Sequence, residues 1–129
     1  MKIYDVIRGK GGLVTCVVRN SGYTDNMLEH CAFHSSMFET GYGGARPADL
    51  ALSILADFCD VSPAEVKRIR ESALTLSKQN RSHIPIRLHQ LFKADFIADK
   101  RRRLEPGESY TITGEEIRKW IETNKGRDR

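Results

Sequence analysis

The segment Lys2–Val18, KIYDVIRGKGGLVTCVV, decides the fold. Two runs rich in Ile, Val, Tyr and Thr flank Lys10-Gly11-Gly12. β-Branched and aromatic side chains suit a pleated, half-buried surface, and glycine gives the backbone the freedom a tight reversal needs. The pattern predicts an antiparallel hairpin that Asn20-Ser21-Gly22 ends. Residues 23–35 are polar and irregular and read as a loop with room for one helical turn. Ser36–Tyr42 reads as a third strand running into Gly41-Tyr42-Gly43-Gly44.

Helical spacing takes over near Pro47, a residue tolerated at a first helical position because its missing N–H had no partner there. Leu50, Ala51, Ile54, Leu55 and Phe58 recur at intervals of three and four and predict a buried helix face. Asp49, Asp57 and Asp60 read as its solvated flank. Ser62-Pro63-Ala64-Glu65 predicts a second start, with Ser62 as cap, Pro63 at N1 and Glu65 closing a capping box. Val66, Ile69, Ala73 and Leu76 then point inward, and Lys67, Arg68 and Arg70 outward. A break at Asn80–His83 precedes a third helix over about Pro85–Asp99, carried by Leu88, Leu91, Phe92, Phe96 and Ile97. Glu105–Glu108 is a turn and Tyr110-Thr111-Ile112 a short strand. Thr113-Gly114-Glu115-Glu116 is a capping box opening a last helix, with Ile117, Trp120 and Ile121 facing inward.

Strands followed by helices, rather than alternating βαβ units, mark the α+β class. The expectation is a small N-terminal antiparallel sheet, a hairpin plus a third strand, packed by three to four helices. The 129 residues fit one domain, 1–123, with residues 124–129 fraying. No apolar run approaches the roughly 20 residues a membrane crossing needs, and the N-terminus lacks a signal-peptide pattern. Cys16, Cys31 and Cys59 are odd in number and irregular in spacing, so they predict no disulfide framework and fit a reducing, cytoplasmic setting.

The net charge of +4 is unevenly spread: residues 67–103 hold eleven Lys and Arg against three Asp and Glu. Lys67, Arg68 and Arg70 on the second helix, with Lys100, Arg101, Arg102 and Arg103 after the third, are the candidate contacts to phosphates or to the carboxylates of a partner. The plainer reading is a solvated face, with the 100–103 run complementing the negative end of a helix. Gly41, Tyr42, Gly43 and Gly44 form a candidate anion-binding turn, since glycines ahead of a helix expose N–H groups. They lack the Lys-Ser/Thr of a P-loop and the spacing of a dinucleotide fingerprint, so no cofactor is expected, and the alternative is a tight turn packed by Tyr42. His30, Cys31 and His34 fall short of the four ligands of a structural zinc site, and no metal is expected. No nucleophile–base pair or paired carboxylates are signalled, so an enzyme is not the leading expectation.

Two segments, Phe38–Leu55 (FETGYGGARPADLALSIL) and Tyr110–Ile121 (YTITGEEIRKWI), with Leu91-Phe92-Lys93 between them, carry a family likeness. They resemble a family of short bacterial and phage proteins catalogued as a domain of unknown function, DUF6166. That family has an aromatic–x–x–Gly–Tyr–Gly–Gly stretch, an Ala/Leu-rich helix and a closing segment ending in Glu–Ile–x–x–Trp. This chain departs from it at Glu39-Thr40, where Glu-Trp is expected, and at Ala45-Arg46, where two small residues are expected. The resemblance implies a mobile-element setting rather than a mechanism. The leading expectation is a non-enzymatic binding protein whose basic helical face engages an acidic protein surface or a protein–nucleic acid complex, such as a host defence system it inhibits. Direct DNA or RNA binding is one alternative. A small enzyme or anion binder built on Gly41–Gly44 is another.

Overall fold

In the computed structural model the hairpin forms as its pattern predicts; the structure describes residues 1–72 and 75–127. Strand β1 (Lys2–Arg8) pairs antiparallel with β2 (Val14–Asn20), Lys2 opposite Asn20 and Arg8 opposite Val14. Gly12 takes φ +94° in the connecting turn, a conformation that glycine adopts without strain. Tyr4, Val6, Val14, Cys16 and Val18 all point to one face and are buried.

The third strand is not where the sequence pattern placed it. Ser36–Tyr42 forms no strand, and β3 is the short Asn26–Met27 within the expected loop, paired with Val17 and Val18 of β2. The backbone of 36–42 is used elsewhere: Gly41 N–H donates to the Ile97 carbonyl at 2.8 Å, and Gly41 turns through φ +90°. The fourth strand, β4 (Ser109–Thr113), adds antiparallel to β1 with Ile112 opposite Tyr4, giving the order β3-β2-β1-β4.

Helix α1 (Ala45–Phe58) begins two residues before Pro47 and is the centre of the molecule. Every residue from Pro47 to Ala56 is buried, so the helix has no solvated flank at Asp49. The sheet covers one side, while α3 (Ile84–Phe92) and the chain at 30–38 cover the others. Helix α2 (Pro63–Ser72) is capped by Ser62, whose Oγ accepts from Glu65 N–H at 3.1 Å. The reciprocal half of the expected box is absent, because the Glu65 carboxylate pairs with Arg68 instead. Val66 and Ile69 are buried and Leu76 is half-buried; Ala73 lies outside the described residues.

The predicted third helix starts at Ile84 and changes pitch. Lys93–Ile97 widens into a π-turn, with Ala98 N–H bonding to the Lys93 carbonyl at 2.8 Å. This turn sets Phe96 beside Phe92 and brings Asp95 to the Trp120 indole N–H at 2.7 Å. The basic run then forms a 3₁₀ turn, Lys100–Arg102, capped by Asp99. Helix α4 (Gly114–Asn124) opens on the predicted capping box, with both halves formed by Thr113 and Glu116. Buried Arg87 donates to the Lys125 and Arg127 carbonyls at 2.8 and 2.7 Å, where a cation meets the negative end of α4. Among the described residues, no helix is long and apolar enough to cross a membrane.

Candidate functional site

Asp49 is fully buried, yet its carboxylate is saturated with donors. Oδ1 accepts from the backbone N–H of Phe33 at 3.3 Å and of His34 at 2.9 Å. Oδ2 accepts from Ser35 N–H at 3.0 Å, Ser35 Oγ at 3.0 Å and His30 Nε2 at 2.8 Å. Successive amides converging on one anion form a nest, and bonds to an ionised acceptor are roughly twice as strong as neutral ones. Ser53, one helical turn further along α1, accepts from Cys31 N–H at 2.9 Å. Helix α1 thereby holds residues 30–35 in one shape.

That shape forms one wall of a groove of about 540 Å³, whose other wall is α2. Ala32, Phe33, Ala64 and Val66 supply apolar lining, while Lys67, Arg70 and Glu71 are exposed along it. The Arg70 guanidinium lies 3.9 Å above the Phe33 ring, a cation–π contact that keeps its charge at the groove. Arg68 sits outside the groove lining, paired with Glu65.

The other basic group is brought against the glycine corner. A Cβ on Gly41 would come within 2.5 Å of Arg103 Cα, so only glycine lets these two backbones meet. Arg8 fixes the corner from the sheet. Its guanidinium is bidentate to Glu39 and also donates to the Leu104 and Gly12 carbonyls at 2.7 and 2.6 Å. This pairing holds the Glu39 carboxyl below its ordinary range. Gly44 is the N-cap of α1 and makes no side-chain cap, and the Tyr42 ring occupies the space a Cβ there would need. Arg102 stacks over the Tyr110 ring at 4.3 Å, and Arg101 is paired with Asp99 at 3.0 Å. Arg101 and Arg102 line a separate, smaller depression with Asp95 and Asp99. The seven candidate cations thus form two groups: Lys67, Arg68 and Arg70 on α2, and Lys100–Arg103, whose last residue packs against Gly41.

The histidines and cysteines are arranged differently from a zinc cluster. The Cys31 thiol is buried and pushed up to about 11, with burial as the main cause. His30 is bonded to Asp49, with its ring 4.5 Å from that of Phe38. His34 instead meets His89, Nε2 to Nε2 at 3.1 Å. Among the described residues, no three His, Cys, Asp or Glu side chains are grouped to hold a metal ion. Burial pushes His89 down to about 4, and its Nδ1 donates to the Ile86 carbonyl at 2.9 Å.

The pattern assigns Asp49, Phe33 and His89 no place in a shared site. Asp49 reads as a helix-flank acid because its partners come from a loop with no periodicity. His89 had a signal: it stands three residues before Phe92, on the inner face of α3. No family model matches the chain, and neither curated proteins nor solved structures give a significant match.

Proposed function

We propose that this is a non-enzymatic binding protein that engages an acidic surface of a partner protein, alone or within a protein–nucleic acid complex, through the groove between α2 and residues 31–33. One observation carries the reading: exposed Lys67 and Arg70, with Glu71 beside them, stand along a groove lined by Phe33, Ala32, Ala64 and Val66. Cations beside a concave apolar surface suit a protein anchor, with a buried side chain in the groove and carboxylates at the rim. A phosphate backbone needs the charge but has no use for the apolar floor. Lys100–Arg103 supply a second contact of the same sign. The resemblance to phage proteins makes a host defence complex the first class of partner to try. Three free, buried cysteines agree with a reducing compartment, so we place the interaction in the host cytoplasm.

Direct nucleic-acid binding has one observation in its favour, the packing of Arg103, the last residue of the Lys100–Arg103 run, against Gly41. The two readings separate in a capture experiment with tagged protein and lysate, run with and without nuclease at two salt concentrations. A discrete protein retained after nuclease and at the higher salt supports the first reading. Retained nucleic acid that is lost on raising the salt supports the second.

A further inference from the structure

His89 is almost wholly buried on α3, and its Nδ1–H is committed to the Ile86 carbonyl. That bond leaves Nε2 as the lone-pair nitrogen, the arrangement in which a histidine serves as a metal ligand oriented by a backbone acceptor. Nε2 does not face a donor of the core. It faces the Nε2 of His34, 3.1 Å away on an exposed loop residue. Two neutral imidazoles cannot both present lone pairs across that distance without a hydrogen or a cation between them. The Nε2–H of His34 fills the gap when nothing is bound.

We propose that His34 and His89 chelate a borderline transition-metal dication, of the zinc, nickel and copper class. Imidazole nitrogens bind such ions at about 2.0–2.1 Å, so the 3.1 Å hydrogen-bonded separation opens when an ion enters. The backbone amides of 33–35 are locked on Asp49, so the His34 backbone is already placed. The exposed His34 ring makes the small swing that aims both nitrogens at one point. Binding moves the His34 proton from Nε2 to Nδ1, and no net proton is released from the neutral pair. Water completes the coordination on the solvent side, which makes the site open and exchangeable. A bound ion ties residues 30–35 to α3.

The test is calorimetric titration of the full chain with zinc chloride, paired with the thermal midpoint. One zinc per chain is expected, with a zinc-dependent rise in midpoint. His34→Ala, an exposed substitution, should weaken binding by at least roughly tenfold and remove the midpoint rise. His83→Ala should change neither. With copper in place of zinc, the electron paramagnetic resonance spectrum should show two nitrogen ligands, one of which is lost in His34→Ala. No saturable zinc binding up to about 1 mM overturns the proposal. Equal affinity in wild type and His34→Ala overturns it as well.

Discussion

At the scale of single residues, Asp49 organises the wall of the groove. Removing one side of a buried, charge-assisted set strands its other members, so Asp49→Ala should destabilise the fold by about 3–5 kcal/mol. Asp49→Asn keeps the shape and part of the bonding and should fall between that and wild type. Urea unfolding followed by Trp120, the sole tryptophan, measures both. His89 adds a pH dependence with a definite sign. Its folded value of about 4 lies below the ordinary 6.5, so the unfolded chain binds more protons between those limits. The contribution is complete above pH 6.5 and falls away as pH drops towards 4, by up to about 3 kcal/mol. Unfolding across that range, with a chelator present, should show this slope in wild type and lose it in His89→Gln. An unchanged slope in the variant would place the dependence elsewhere. The sequence shows that Asp49 and His89 exist but not their roles. Both depend on contacts with residues 30–35, which follow no period.

The elements were legible to different degrees for physical reasons. The hairpin, the capping box at Thr113 and the inward faces of α2 and α4 follow from local chemistry, so their residues announce them. The misplaced third strand did not, because Ser36–Tyr42 has strand-like composition while its N–H groups are recruited by Ile97 and Glu39. The π-turn at Lys93–Ile97 is likewise a tertiary effect, fixed by Trp120 and Gly41. The end of α1 offers a clean test at this scale. Asp60 adopts φ 59°, with Val61 N–H bonding to the Ala56 carbonyl and Asp60 N–H to the Asp57 carbonyl. This is a Schellman termination with a non-glycine residue in the left-handed position. Asp60→Gly should stabilise the protein by about 0.5–1 kcal/mol. Its 3.9 Å approach to Lys2 is too exposed to offset that gain. Thermal unfolding of the two proteins checks the sign.

For the whole molecule, the α+β class was readable from the order of elements, and the surface that each of the two basic groups reaches was not. Charge counts along a chain carry no information about which surface each cation reaches. The fold sets Lys67 and Arg70 along an apolar groove, and it sets Arg103, at the end of the second group, against Gly41. The central claim is that the groove, rather than total positive charge, selects the partner. It is tested most directly by repeating the nuclease-treated capture with two charge-reversed proteins of unchanged thermal midpoint. One carries Lys67→Glu and Arg70→Glu, the other Arg101→Glu and Arg102→Glu. The account predicts that the first loses the captured protein and the second retains most of it. Full retention by the first protein, or equal loss from both, would contradict it.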